Sequence, residues 1–396
     1  MNLLKFLGIV QVYKAYEYRV YLSPKQETYV AKMLGLKRLY WNLNIANKQS
    51  NTNYKLLTYH KTFEQYAPEA LVWLKEVDVV PLNAAYMDIN QAYQNFYNSC
   101  KKIRKGKFVQ PPKFKSKKNK LEAIRYNNCK FRDGKLFITR KLGLINGNFS
   151  SQFCEGKIRN TTLRRTATGK WFVKICVDKK KEKKCDNGKI IGIDWNCKDD
   201  SFISMSDGTK VKCPHFLKRK QNRLAKYQRR VSKLFKENQV QSKNYEKAKL
   251  KVAKLYEKII WQRKDWLHKL SRDLANKYEF VGVEDINLQV MASNFGHGKV
   301  VSDQGFGMLR NFIAYKTNLV KVSAAYTSQT CSSCGYKYDE KDFKNIKWNL
   351  SIREWKCPIC SSEHDRDINA ARNILRKTIE QLSRQGTSRN LMPVEC

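Results

Sequence analysis

Two short runs decide the fold: "IIGIDWN" at Ile190–Asn196 and "FVGVEDIN" at Phe280–Asn287. Each strings β-branched residues and glycine together and then delivers a carboxylate, Asp194 in the first and Glu284 in the second. Apolar runs of this length read as strands buried on both faces. An unpaired carboxylate is costly in such a place. Taken singly, each acid could be a strand-end residue facing water. Two strands of the same design, in a chain with few acids to spare, point to a shared purpose. A third acid, Asp367, stands in "HDRDINAARNIL" (His364–Leu375) at the start of a helical pattern. Carboxylates around one point repel unless divalent cations bind them, and hard oxygen ligands suit Mg2+ or Mn2+. Two such ions can clamp the attacking and leaving oxygens of a phosphodiester.

The surrounding order of elements agrees with this. After the Asp194 strand, "SFISMS" and "TKVKC" read as two further strands joined at Asp207-Gly208. A long basic helical pair follows, with Leu217, Leu224, Tyr227, Val231 and Leu234, then Val252, Tyr256, Ile259, Trp266 and Leu270, at helical spacing. Then come the Glu284 strand, a helix near Phe306–Thr317, the strand "LVKVSAAY", a cysteine-rich insert and a closing helix in "DINAARNILRK". Strand, two strands, helices, strand, helix, strand, helix is the order of an RNase H-like nuclease fold. The tail from Gly386 reads as unstructured.

Upstream, "YEYRVYLSP" (Tyr16–Pro24) is strand-like and stopped by Pro24. Residues 25–100 read as helices, one of them starting at Pro81. The segment 101–120 is basic, lacks an apolar period and reads as extended loop. Residues 121–178 turn to strands, with hairpins at Asp133-Gly134 and Thr168-Gly169. "MNLLKFLGIV" has a short apolar core but no clear small-residue cleavage site, and is not read as a signal peptide.

The chain carries 78 Lys+Arg against 35 Asp+Glu, a net charge of +43. Residues 101–330 hold 55 of the basic residues against 19 acids, so the excess lies in the middle. Like charges at that density repel until a polyanion neutralises them. With 21 Tyr, 18 Phe and 8 Trp interleaved, the partner indicated is nucleic acid. No apolar run is long enough to span a membrane.

Of twelve cysteines, four form two Cys-x-x-Cys pairs, Cys331/Cys334 and Cys357/Cys360. Each pair makes a tight knuckle, and two knuckles supply a tetrahedral Zn2+ site. Two disulfides or free thiols are the alternatives. Gly335 just after the first knuckle favours a zinc ribbon, and four sulfurs make a closed, structural site. The other cysteines scatter, which suits a cytosolic chain.

"IIGIDWN", "FVGVEDIN", "TSQTCSSCGYK…REWKCPIC" and "HDRDINAARNIL", with "QRKDWLHKLSRDLANKY" and "PPKFKSKK", resemble the split RuvC nuclease and zinc-ribbon motifs of the transposon-encoded TnpB family. The resemblance runs through most of residues 16–378; the N-terminal dozen residues have no clear counterpart. It implies an RNA-guided DNA endonuclease with Asp194, Glu284 and Asp367 as metal-binding catalytic acids. Asp367 is chosen over Asp365 because the family's acid directly precedes the "xNAA" step. It further implies Mg2+ (or Mn2+) at these acids, one structural Zn2+ on Cys331, Cys334, Cys357 and Cys360, and a guide RNA. The expected fold is multidomain α+β. Residues 1–24 and 105–185 would form a β-barrel wedge domain, and 25–104 a helical recognition domain. Residues 186–328 and 363–385 would form an RNase H-like RuvC domain, 329–362 its zinc-ribbon insert, and 386–396 a disordered tail. Candidate nucleic-acid contacts are Lys113, Lys115, Lys117 and Lys118 in "PPKFKSKK", and Asn83, Tyr86 and Gln91 in "PLNAAYMDINQAYQ". The partners implied are the guide RNA and double-stranded target DNA, with no membrane, a monomeric state and a prokaryotic cytoplasmic, nucleoid-associated location. Alternatives with the same features are a miniature type V CRISPR effector, a guide-dependent repressor that binds without cutting, and a non-guided DNA-binding protein or transposase. No acid of the triad is replaced, unlike in nuclease-dead relatives.

Overall fold

The structure is a computed structural model and describes residues 12–51, 53–104, 106–116, 123–149, 156–179, 184–196, 201–287, 303–339, 341, 348, 352–386 and 391–394. It divides into two compact units, residues 1–182 and 183–396.

The first unit opens with β1 (Val12–Tyr21) and α1 (Pro24–Ser50). Ser23 starts the helix as a capping box: its hydroxyl accepts from Gln26 N (3.4 Å) while the Gln26 side chain accepts from Ser23 N (2.9 Å). Pro24 sits in the first turn, where its missing N–H costs nothing. Short helices α2 (Tyr59–Tyr66) and α3 (Ala70–Leu74) lead to α4 (Val80–Cys100), which also carries a proline, Pro81, in its first turn. Six strands follow: β2 (Ala123–Tyr126), β3 (Lys130–Arg132), β4 (Lys135–Phe137), β5 (Leu144–Gly147), β6 (Lys157–Arg165) and β7 (Trp171–Lys179). Asp133 and Gly134 both have positive φ (49° and 68°), the geometry of a two-residue hairpin turn between β3 and β4.

These strands form one antiparallel sheet in the order β2-β6-β7-β1-β5-β4-β3. The expected barrel is not closed: among the described residues β2 and β3 are edges that do not pair with each other. Both are short, and β2 is held instead by α4, where Arg125 reaches Asp88 (2.8 Å) and Ala84 O (3.3 Å). Strands and helices share one apolar core, including Tyr16, Val20, Val30, Tyr40, Phe63, Ile89, Ile124 and Val173.

The second unit begins with β8 (Lys189–Trp195), β9 (Ile203–Met205) and β10 (Lys210–Val211). A 3-10 turn at Lys218–Lys220 leads into α5 (Gln221–Leu234) and the 35-residue α6 (Lys243–Lys277). Next come β11 (Phe280–Glu284), α7 (Phe306–Lys316), β12 (Asn318–Val322), the hairpin β13 (Glu354–Lys356) and β14 (Glu363–Asp365), α8 (Arg366–Arg384) and β15 (Met392–Pro393). The sheet runs β10-β9-β8-β11-β12. β8, β9 and β10 are antiparallel, whereas β11 is parallel to both β8 and β12.

Strand alternation assigns the two faces of this sheet. Ile191, Ile193, Val281 and Val283 share a core with Leu267 and Leu274 of α6 and Leu309 and Ile313 of α7. Ile190, Phe280, Val320 and Val322 share another with Ile374, Leu375 and Leu382 of α8. The α8 face therefore carries 190, 192 and 194 of β8 and 280, 282 and 284 of β11. Its middle positions are both glycine. A Cβ on Gly192 would lie 2.1 Å from Ala371 O and 2.6 Å from Leu375 N; one on Gly282 would lie 2.0 Å from Thr378 Oγ1. α8 thus lies almost directly on the backbone of both strands.

One correction concerns the tail. Residues 391–394 are not unstructured: Met392 and Pro393 run parallel to Lys189 and Ile190 of β8. β9 pairs only with Ile193–Trp195, so the first half of β8 offers open backbone groups, which Val394 N fills at Ile190 O (3.0 Å).

Gly192→Ala should destabilise this unit by about 3 kcal/mol or more, because the added methyl meets helix backbone that cannot rotate away. Gly282→Ala should cost less, since it meets a threonine side chain. Chemical denaturation of both variants checks this, and a wild-type midpoint for Gly192→Ala would show that α8 does not pack so closely.

Candidate metal centres

The sheet register brings two of the acids together. Ile193 of β8 pairs with Val283 of β11 in parallel, so the next residues, Asp194 and Glu284, stand side by side near the ends of adjacent strands on the α8 face. α8 supplies the third. Its start is set by Asp365, the N-cap, whose Oδ1 accepts from the backbone N–H of Asp367 and Ile368 (both 3.1 Å). The other oxygen of Asp365 pairs with Lys210 Nζ (2.5 Å). Burial pushes the Asp365 carboxyl up, but Lys210 and the two N–H groups outweigh it and leave the pKa below its ordinary value. Both oxygens of Asp365 are therefore committed to holding the helix. Asp367, in the first turn and 8% exposed, meets two guanidiniums. Arg366 donates to its Oδ1 (2.8 and 3.1 Å), and Arg353 lies 3.3 Å from both oxygens.

Asp194 feels the charges of the other two acids. Burial first, and then the charges of Glu284 and Asp367, raise the Asp194 carboxyl well above its ordinary pKa; Arg366 and the N–H of Trp195 oppose this. Burial also raises Glu284, against a hydrogen bond from the Thr327 hydroxyl and the charge of Lys377. Desolvated carboxylates that repel one another fit a hard divalent cation, which would supply the missing positive charge. Sequence reasoning missed Arg353, Arg366, Thr327 and Lys377, because nothing local to those residues marks them as neighbours of Asp194 or Glu284.

The sulfurs are gathered more tightly. Cys331, Cys334, Cys357 and Cys360 place their Sγ atoms within 4.8 Å of one another, and among the described residues no other group of three or more such donors is so close. The Cys331–Cys360 and Cys334–Cys357 separations are both 3.6 Å. Disulfide sulfurs bond at about 2.05 Å. Tetrahedral zinc, with Zn–S near 2.3 Å, sets sulfurs about 3.8 Å apart. The set fits zinc. Around it Tyr338 and Trp355 form a small core with Cys331 and Cys357. His364, opposite Trp355 in the β13–β14 hairpin, brings Nε2 to 3.0 Å from Cys331 Sγ.

The candidate nucleic-acid contacts lie in the first unit. Lys115 is not a free cation. Its ammonium lies over the Trp41 ring (3.2 Å), and its backbone makes a two-way pair with the Asn42 amide (2.8 and 3.0 Å). Burial, and then the charge of Lys37, lower its pKa to about 8. Lys113 O accepts from Trp41 Nε1 (3.0 Å). Lys117 and Lys118 lie outside the described residues. On α4, Asn83 and Gln91 are exposed, Gln91 bonding Asn95 (3.1 Å), while Tyr86 is half-buried against the core.

Comparison with known proteins gives the following. A family profile described as "Probable transposase" matches residues 174–294, and one described as "Cas12f1-like, TNB domain" matches 306–374. A "Helix-turn-helix domain" profile matches residues 12–54, which here form β1 and the single long helix α1. The chain is 30% identical over 381 residues to a Streptomyces pristinaespiralis protein described as "Putative RNA-guided DNA endonuclease", covering 92% of this chain and 89% of that one. It is 26% identical to an Escherichia coli K12 protein described as "Putative RNA-guided DNA endonuclease InsQ", covering 91% of each. Against a solved structure described as "Cryo-EM structure of the Cas12f1-sgRNA-target DNA complex", the TM-score is 0.49 at 15% identity, over 92% of this chain and 98% of that one. No helix among the described residues is long and apolar enough to cross a membrane.

Two outcomes follow from these centres. An acid whose folded pKa is raised costs stability once ionised: the penalty grows as pH rises from the ordinary carboxylate value, near 4, through the folded value. Asp194→Asn should therefore raise Tm at neutral pH in magnesium-free buffer by about 3 °C. The gain should fade on acidification, and calorimetry across pH reads both. For the sulfur site, elemental analysis should find about one zinc per chain. Cys357→Ser should lose that zinc and lower Tm, and a zinc-free wild-type protein of full stability would contradict the assignment.

Proposed function

The chain belongs to the TnpB family, and on that premise we propose that it is an RNA-guided DNA endonuclease cutting DNA at its three-acid centre. The observation that carries the reading is the placement of Asp194 and Glu284 side by side near the ends of the parallel strands β8 and β11, on the face covered by α8, with Asp367 in the first turn of that helix. In this reading residues 186–328 and 363–385 form an RNase H-like RuvC domain. The sheet order 3-2-1-4-5, with the first three strands antiparallel and the next two parallel, supports it. So does the helix that returns onto β8 and β11.

The division of labour is as follows. A guide RNA pairs with one strand of a double-stranded DNA target, so sequence is read by base pairing while the protein grips backbone. The excess of 43 positive charges supplies that grip and makes it salt-dependent. The strand-rich and helical parts of residues 1–185 act as wedge and recognition elements beside a short target-adjacent motif. The zinc ribbon at 329–362, held by its four cysteines, feeds target strand toward the acids.

At the centre, Asp194, Glu284 and Asp367 hold Mg2+ (or Mn2+). When bound, the ions activate water and stabilise the charge that develops on the phosphodiester oxygens. Asp194 and Glu284 are half-buried and Asp367 is buried, and this lowered exposure to water strengthens their hold on a cation. Arg353 and Arg366 both pair with Asp367. The complete set of acids favours cleavage over guided binding alone.

The test is reconstitution with the RNA that co-purifies with the chain, followed by plasmid cleavage in Mg2+. Asp194→Ala, Glu284→Ala and Asp367→Ala should each lose at least about a hundredfold in rate, the scale of removing metal stabilisation of the transition state. RNA-guided binding should survive. Cutting by any of the three at the wild-type rate, or purification without a specific RNA, would overturn the reading.

A further inference from the structure

The loop joining β12 to the first cysteine knuckle, residues 323–332, is made of turns, and its polar backbone needs partners. α8 supplies them from three side chains spaced four apart on one face, Asn369, Asn373 and Lys377. Asn369 donates to Thr330 O (2.8 Å) and accepts from Ser332 N (2.8 Å). Asn373 donates to Thr327 O (2.8 Å) and Thr330 O (2.6 Å). Lys377 donates to Ser323 O (3.0 Å) and Ala325 O (2.6 Å). Both asparagines are 1% exposed, so losing either would strand buried backbone groups. The seam ties the loop to the helix that carries Asp367.

What the seam holds in place is Thr327. This residue is 4% exposed, and its hydroxyl donates to Glu284 Oε1. The loop that ends in zinc knuckle Cys331 therefore also touches an acid of the other centre. Carboxylates that ligate cations are commonly oriented by such a second hydrogen bond, and its loss costs 10–100-fold in metal affinity.

We propose that Thr327 is a positioning residue for Glu284, fixing its carboxylate so that one oxygen is committed to the hydroxyl and the other to the divalent cation. The Asn369–Asn373–Lys377 seam then couples the zinc ribbon to the acid centre through Thr327. This rests on the reading of Glu284 as a cation ligand. A rival role for Thr327 is simply to close its turn, since its hydroxyl also lies 3.1 Å from Ala324 O. A turn-closing role would affect stability and leave cation affinity unmoved.

The experiment uses the full chain with its RNA, Mn2+ as the probe read by electron paramagnetic resonance titration, and calorimetry alongside. Thr327→Val, nearly the same shape without the hydroxyl, should weaken Mn2+ binding about tenfold or more. It should also raise the Mg2+ needed for half-maximal cleavage more than it lowers the rate at saturating Mg2+. Thr327→Ser should restore both. If valine lowers Tm, Thr327→Ala repeats the titration without the added methyl. Mn2+ affinity weakened by Glu284→Gln but unchanged in the Thr327 variants would overturn this proposal alone. Affinity unchanged by Glu284→Gln would sink the metal reading and this proposal with it.

Discussion

The close seating of α8 on β8 and β11 is the constraint on which the second unit depends. Two glycines make it possible, because Gly192 and Gly282 leave room for helix backbone and for Thr378 where any Cβ would collide. Side chains alternate along a strand, so the residues two steps beyond those glycines, Asp194 and Glu284, face the same helix. One spacing rule thus does two things. It lets the helix approach, and it puts both carboxylates on the sheet face that α8 covers.

That arrangement stores electrostatic strain. Asp194 is half-buried beside like charges, and desolvation, then Glu284 and Asp367, push its carboxyl well above the ordinary pKa. Arg353 and Arg366 relieve Asp367, Lys377 and Thr327 relieve Glu284, and Asp194 receives the least relief. A fold optimised only for stability would not gather these groups. The apolar cores on both faces of the sheet offset that cost.

The four-cysteine insert is built on the same helix. Its β13–β14 hairpin ends at Asp365, which immediately caps α8, and its first knuckle is stitched to Asn369 and Asn373. Neither part is a free appendage. Tyr338 and Trp355 give the insert its small core, and the four sulfurs close it.

Much of this was legible from local pattern. The apolar runs ending in acids, the hairpin turns at Asp133-Gly134 and Thr168-Gly169, the basic helical pair and the paired Cys-x-x-Cys knuckles all appear as elements where their spacing placed them. Other features were not legible. The open sheet of the first unit depends on whether its two edge strands meet, and strand propensity does not encode that. The return of Met392 and Pro393 to β8 depends on β9 leaving half that strand unpaired. Lys115, read as a phosphate contact, is seated on Trp41, 74 positions away, by a contact no window of sequence reveals. By itself, then, the sequence determined the elements, their order and the residue types offered to cations, because periodicity and ligand chemistry are local. Which group caps α8, which guanidiniums pair with Asp367 and which hydroxyl holds Glu284, only the tertiary structure decided, because hydrogen bonds and desolvation arise between residues brought together by folding.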